Sequence, residues 1–286
     1  MNLLQRTLIE KSGYGNGFER VVHDGGTDDV ALLASARHGC RVAVSLAAGG
    51  GFSVRVFPPS PALLPELLRR YSAAPDGSFH AADESALSGL LQRAASLALA
   101  LPRQAERDGC NAMEDAVARL PAAARGTEAE RLVRQRVGQE HYRAALMRYW
   151  GGACAVTGVA VPEALRASHA KPWVKCASDA ERLDAFNGFL LLATLDALFD
   201  RFLISFDDEG RLLISPSLPA AALPLLGIHT GMALRWLAPE HLPYLQWHRA
   251  RFEHAPAPPS GAPSGYNSRF AARLEGLDDE AHLSRI

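Results

Sequence analysis

The sequence predicts an α+β fold in two folded parts, and three observations carry that prediction. Residues 41–46 (RVAVSL) and 52–57 (FSVRVF) alternate apolar and polar side chains with the two-residue period of strands. Residues 84–101 (ESALSGLLQRAASLALAL) repeat their apolar side chains at helical spacing. Between Leu165 and Phe202 the order strand, loop, strand, helix can be read, with a second hairpin after it. A chain of 286 residues has the length for two such domains. The expected division is 1–122, a recognition or regulatory part of unknown type, 127–254, which holds the candidate chemistry, and a low-complexity, mostly disordered tail at 255–286.

Taken in order, residues 1–36 give a mixed signal, with GYGNG and HDGGTDD read as turns between short elements. The strands 41–46 and 52–57 are joined by AAGGG, which makes a hairpin, and Pro58 and Pro59 end it. LPELLRRYS (64–72) and residues 84–101 follow as helices, the second with Asp83 as its N-cap and Pro102 as its stop. His23, His38 and His80 are unclustered and read as surface or packing residues. No helix-turn-helix, zinc finger or aromatic-and-basic surface is recognisable before residue 120.

LPAAARG marks the boundary, and TEAE at 127–130 is a capping-box pattern with Glu130 reaching back to Thr127. The helix it opens runs to about Trp150, with an apolar stripe of Leu132, Val133, Val137, Ala144, Ala145 and Leu146. Between 131 and 175 there are eight Lys/Arg (Arg131, Arg134, Arg136, Arg143, Arg148, Arg166, Lys171, Lys175) against Glu140 and Glu163. That is a local +6 in a chain of net charge −1, either a solvated helix face or a phosphate-contacting one. LRASHA (165–170) is a short strand, 175–186 a polar excursion, FLLL (189–192) a second strand, and Thr194 to about Phe202 a short helix. LISF and RLLIS (203–215) form a hairpin turned at Gly210, and HLPYLQWHRARF (241–252) is a final amphipathic helix.

Composition excludes several classes. The apolar fraction of 48% with 21% charged residues is that of a soluble globular protein, and no apolar run reaches membrane-spanning length. The N-terminal stretch carries acidic residues and no sustained apolar core, unlike a secretory signal. Four scattered cysteines, Cys40, Cys110, Cys154 and Cys176, without a C-x-x-C pair suit a reducing cytoplasm and argue against a four-cysteine zinc site.

The chemistry concentrates at 167–201. Phosphodiester hydrolysis needs an activated water, charge neutralisation on the phosphate, and a held geometry. A histidine near its ordinary pKa removes a proton from water at neutral pH, hard oxygen ligands hold a divalent cation, and an asparagine amide fixes a loop through its donors and acceptors. His169, Asp196 and Asn187 match these needs. Singly, each has a plainer reading: a structural histidine in a strand, an Asn-Gly turn, and a carboxylate favoured by a helix N-terminus.

Together, CAVTG, ASHxxPW, ERLDxxNGxLL and DALFDR resemble the HNH endonuclease family, whose fold is the ββα-metal motif. The resemblance covers roughly 131–218 and is nearest to the HNH domains at the C-terminus of bacterial restriction and phage-defence nucleases. It implies that His169 is the general base, that Asn187 orders the loop between the strands and orients the base, and that Asp196 is the metal ligand for one Mg²⁺ or Mn²⁺. Ser168 stands where many members have a metal-binding aspartate, and Asp200 either adds to the site or pairs with an arginine. Thr157 stands where relatives with a structural zinc carry a second cysteine, so no structural zinc is expected. DNA is the expected partner, contacted by Arg143, Arg148, Lys171, Lys175 and Arg201. A homodimer, or pairing on DNA, is expected because a single-metal site cuts one strand. The competing expectation is a catalytically weakened HNH fold that binds nucleic acid without cutting it.

Overall fold

A computed structural model of the protein describes residues 1–22 and 29–252. The first half is built on a five-stranded antiparallel meander of β1 (Arg20–Val22), β2 (Val30–Ala34), β3 (Arg41–Leu46), β4 (Phe52–Phe57) and β5 (Phe79–Ala81). The predicted hairpin is its centre, in the register Val42↔Val56 and Val44↔Val54, and those four valines are all buried. Their alternation with exposed Arg41, Arg55 and Phe57 turns one face of the sheet toward helices. Three helices belong to this half: α1 (Leu3–Gly15) before the sheet, α2 (Leu63–Leu68), shorter than its sequence pattern suggested, and α3 (Glu84–Ala100). The Asp83 side chain accepts the Ala86 N–H at 2.8 Å, so the predicted cap is in place.

Two helices depart from the expected order. α1 replaces the turns read in residues 1–36: Asn2 and Gln5 form a full capping box, and GYG belongs to the last helical turn. Gly13 is there for proximity, since a Cβ would meet Leu33 Cδ1 at 2.6 Å. α4 (Gln104–Ala118) occupies a stretch to which no element had been assigned, its buried side given by Ala105, Gly109 and Met113. Leu3 and Leu4 of α1 are exposed, and α4 contains an Asp-Gly pair, so neither helix shows a plain apolar stripe. The HDGGTDD turn up to residue 28, His23, and the 255–286 tail lie outside the described residues.

α5 (Glu128–Tyr149) is the longest element and the seam of the molecule. Thr127 caps it by accepting the Ala129 N–H at 3.2 Å, while Glu130 accepts from Gly126 N at 2.7 Å. The reciprocal bond to Thr127 predicted for a capping box is therefore displaced by one residue. Its buried side is Gly138, Tyr142, Ala145, Leu146 and Tyr149, whereas Leu132 of the expected stripe is 53% exposed. α3 and α4 pack on α5 from the N-terminal side, and Arg93 of α3 donates through Nη1 to the carbonyls of Arg148 and Tyr149, both at 2.9 Å. The Arg148 carbonyl also accepts the Gly151 N–H at 3.3 Å, so the guanidinium adds a side-chain partner at the end of the helix.

Beyond α5 come β6 (Leu165–His169), the short helix α6 (Asp179–Leu183) within the polar excursion, β7 (Gly188–Leu192), α7 (Ala193–Phe199), β8 (Ile204–Phe206), β9 (Leu212–Ile214) and α8 (Leu242–Phe252). β6 and β7 pair antiparallel, Leu165↔Leu192 through His169↔Gly188. β8 and β9 form the second hairpin, with Gly210 in its turn at φ 80°. An aromatic core of Tyr149, Trp150, Phe186, Phe189, Phe199 and Phe206 fills this half.

His241 lies inside that core, fully buried and stacked on Phe189 at 5.3 Å. Its Nδ1 accepts the Ala238 N–H at 3.2 Å, and its Nε2 has no partner. Burial pushes its pKa down to about 3 from 6.5. As pH falls through 6.5 the unfolded chain takes up a proton that the folded chain refuses, so stability is complete above that pH. It then declines by about 1.4 kcal/mol per pH unit, or about 3 kcal/mol at pH 4. Urea unfolding at pH 7.5, 6 and 5 is expected to show this slope reduced in His241→Phe. Equal slopes in the two proteins would refute the neutral buried imidazole.

Candidate active site

β6 and β7 pair at His169 and Gly188, and the end of β6 places the half-buried His169 against Tyr142 of α5. The imidazole stacks on the Tyr142 ring, centroids 3.7 Å apart and 16° from parallel, with Trp173 edge-on at 6.0 Å. His169 Nε2 lies 2.9 Å from the carbonyl of Arg182. A carbonyl only accepts, so Nε2 carries the proton in this network and Nδ1 is the acceptor nitrogen. Burial lowers the His169 pKa to about 4, against the opposing pull of the Arg182 carbonyl, so the ring is neutral at neutral pH. His169 lines a cavity of about 310 Å³ together with Gln139, Trp173, Asp200 and Phe202.

Asn187 is completely buried, and its side-chain hydrogen bonds go to the loop, not to the imidazole. Its Oδ1 accepts from Lys171 N at 2.8 Å, and its Nδ2 donates to the carbonyls of Lys171 at 3.1 Å and Glu181 at 2.9 Å. It therefore closes the loop between β6 and β7 at both ends. The residue after Glu181 is Arg182, whose carbonyl holds His169, so the influence of Asn187 on the histidine runs through the loop. Arg182 tightens the same loop from its side chain, donating to the carbonyls of Trp173 at 3.2 Å and Cys176 at 2.9 Å and pairing with Asp179. Tyr142 joins the two parts by donating to the Asn187 carbonyl at 2.9 Å while its ring supports His169. The sequence reading passed over both Tyr142 and Arg182. Both had a signal: Tyr142 sits on the apolar side of α5, seven residues before Tyr149, and Arg182 lies within ERLDxxNGxLL.

Four residues apart on α7, Asp196 and Asp200 share one side of the helix, next to Ser168. The Ser168 hydroxyl is buried and reaches Asp200 Oδ1 at 3.5 Å. Desolvation raises the Asp196 pKa, while the Ser168 hydroxyl and the Arg166 charge hold it back. Asp200 is raised further, to about 6, by desolvation and then by the negative Asp196 beside it. Two carboxylates and a hydroxyl facing one another form a hard-oxygen donor set whose mutual repulsion a divalent cation relieves, so these residues fit such an ion. No cluster of three His, Cys, Asp or Glu with metal-binding geometry occurs among the described residues, so the fit rests on two carboxylates and a neutral oxygen. Cys154 is buried and its Sγ accepts the Thr157 N–H at 3.4 Å, an internal bond at the place where the zinc question arose.

The expected DNA contacts divide. Arg143 is spent inside the fold, with Nη1 on the Leu165 carbonyl at 2.7 Å and Nη2 on that of Pro162 at 2.8 Å. Lys171 pairs with Glu181 at 2.7 Å. Arg148 lies at the far end of α5 and is not among the residues lining the His169 cavity. Lys175 and Arg201 are exposed, next to the loop and the helix that frame the site. The arginine-rich start of α5 is also neutralised locally: Arg131 pairs with Glu128, Arg134 with Glu130 at 3.0 Å, and Arg136 with Glu140 at 3.3 Å. A charge count beginning at residue 131 leaves out Glu128 and Glu130, and this is why the helix looked more basic than it is.

Residues 154–207 match the HNH endonuclease family model, a segment that contains β6, the loop, β7, α7 and β8. No curated protein matches the chain.

Proposed function

We propose, from the HNH endonuclease domain that the chain carries at 154–207, that the protein is a divalent-metal-dependent DNA endonuclease acting in restriction or phage defence. The observation that carries this reading is the sharing of one cavity by His169, its tautomer fixed, and Asp200, beside Asp196 and Ser168. In the proposed mechanism the neutral His169 takes the proton of an attacking water on Nδ1, and the Arg182 carbonyl stabilises the imidazolium that results. Tyr142 keeps the ring from rotating away. Asp196, Asp200 and Ser168 would hold Mg²⁺ or Mn²⁺, which neutralises charge on the phosphate and on the departing oxygen. Asp200 brings a second carboxylate to a site where Ser168 offers only a hydroxyl. That favours a competent site over a decayed one. Lys175 and Arg201 would contact backbone phosphates. A single site of this kind cuts one strand, so double-strand cleavage would take two copies of the chain.

The test is nicking of supercoiled plasmid in Mg²⁺ and in Mn²⁺, with chelator as control, for the native protein and for Asp196→Ala. Metal-bound charge stabilisation is worth several kcal/mol, so the variant is expected to lose on the order of 10²-fold or more in rate. Nicked circles should accumulate before linear product. Undiminished cutting in chelator, or by Asp196→Ala, would overturn the metal assignment.

A further inference from the structure

A second cavity, of about 640 Å³, lies where α2, α3 and the C-terminal end of α5 meet the segment Arg235–Trp236. Five arginines line it, Arg69, Arg70, Arg93, Arg148 and Arg235, with Glu66 as their one acidic companion among the lining residues. That is five positive charges against one negative, a net of +4 in a protein whose whole net charge is −1. None of the five lines the His169 cavity.

The arginines are held in place largely without being neutralised. Arg93 Nη1 donates to the carbonyls of Arg148 and Tyr149, and Arg235 Nη2 to those of Trp150 at 2.8 Å and Ala153 at 2.9 Å. Arg69 uses Nε on Glu66 at 2.9 Å and Nη2 on the Leu237 carbonyl at 3.2 Å. Carbonyls orient a guanidinium but leave its charge uncompensated, and they leave other N–H donors of the same group available. Arg235 is braced further, 4.6 Å over the Trp236 ring. No carboxylate forms an ion pair with Arg70 or Arg148 among the described residues.

Two buried polar atoms of the lining residues, Trp150 Nε1 and Glu66 Oε2, lack hydrogen-bond partners. Trp150 itself is wholly buried. Burial lowers the pKa of both Arg93 and Arg148; at Arg93 the Glu66 carboxylate opposes this and Arg70 adds to it. The fold tolerates a concentrated positive site there.

We propose that this cavity binds a small, soluble polyphosphate of nucleoside-triphosphate size. Guanidinium forks match phosphate oxyanions two bonds at a time, and the volume falls in the range of small-ligand sites. The arginines come from four parts of the chain, the end of α2, α3, α5 and the Arg235–Trp236 segment, around one recess that suits a compact polyanion. A DNA duplex offers its phosphates in rows on a convex surface and does not enter such a recess. The proposal does not depend on the nuclease reading, because none of its residues belongs to the His169 site.

The experiment is titration calorimetry on the full chain at 150 mM salt with sodium triphosphate, with ATP, with sulfate at matched ionic strength, and with a short DNA duplex. Arg70→Glu reverses an exposed charge, and Ser96→Glu places a carboxylate on the α3 wall of the cavity. Thermal melting checks that both variants remain folded. Saturable one-to-one binding of triphosphate and ATP is expected, with sulfate much weaker and each variant weakened at least about tenfold. The proposal is overturned by the absence of saturable triphosphate and ATP binding up to millimolar concentration. It is overturned equally by binding that neither variant reduces, or by variants that weaken duplex binding alone.

Discussion

Replacing His169 by alanine is expected to lower metal-dependent plasmid nicking by about 10²–10⁴-fold, the usual worth of a positioned general base. The expectation rests on geometry particular to this ring. Its Nε2 is committed to the Arg182 carbonyl at 2.9 Å, so the proton-accepting lone pair belongs to Nδ1 alone. Its plane is fixed by the Tyr142 ring at 3.7 Å. Truncation removes the base and leaves the Arg182 carbonyl without its imidazole partner, but the Asn187 amide and the Arg182 guanidinium still hold the loop through bonds that do not involve the ring. The variant should therefore remain folded and still bind DNA, with the loss confined to the rate of cutting. Imidazole added to the buffer should recover part of it by occupying the vacated space against Tyr142. Unchanged nicking by the alanine variant would remove His169 from the mechanism. A loss accompanied by unfolding, measured by circular dichroism at the assay temperature, would reassign it to structure.

What the sequence made legible follows from the range of the interactions involved. The β3–β4 hairpin was readable because Val42, Val44, Val54 and Val56 alternate with polar residues, and the start of α3 because Asp83 caps it locally. The spacing of His169, Asn187 and Asp196 was readable because strand, loop, strand and helix follow one another without interruption. Contacts formed across the chain were not. Tyr142 reaches His169 from 27 residues away, and Ser168 meets Asp200 only when β6 and α7 pack. The basic start of α5 was misjudged for a local reason, since its partners Glu128 and Glu130 precede it by a turn. The end of α1 reads as a turn because of the glycines of GYGNG, and α4 has no clear apolar stripe, whereas Gly13 and Gly109 are small where Leu33 and Leu183 approach. The arginines of the second cavity come from residues as far apart as 69 and 235, so no linear pattern announces them.

Gly188→Ala is expected to damage the site severely for the addition of a single methyl group. Asn-Gly reads as a turn, yet Gly188 is the first residue of β7, paired with His169, and it is needed for space. A Cβ there would collide with the Ser168 carbonyl oxygen and the Tyr142 hydroxyl, and would lie 3.0 Å from the Ser168 carbonyl carbon. Two of those three obstacles are backbone, which cannot swing aside as a flexible side chain would. Tyr142 could yield only by giving up its 2.9 Å bond to the Asn187 carbonyl and its stacking on His169. Overpacking of this kind costs about 1–3 kcal/mol, and here every route of relief displaces a group that positions the base. The variant should unfold at lower urea concentration, and at temperatures where it remains folded it should nick plasmid at least about tenfold more slowly. Ala167, an immediate chain neighbour of Ser168 on β6, offers the control: Ala167→Gly removes a methyl group from the same strand and should leave cutting much closer to native. Native stability and native cutting in Gly188→Ala would show that β6, β7 and α5 are not packed closely enough for Tyr142 to govern the histidine.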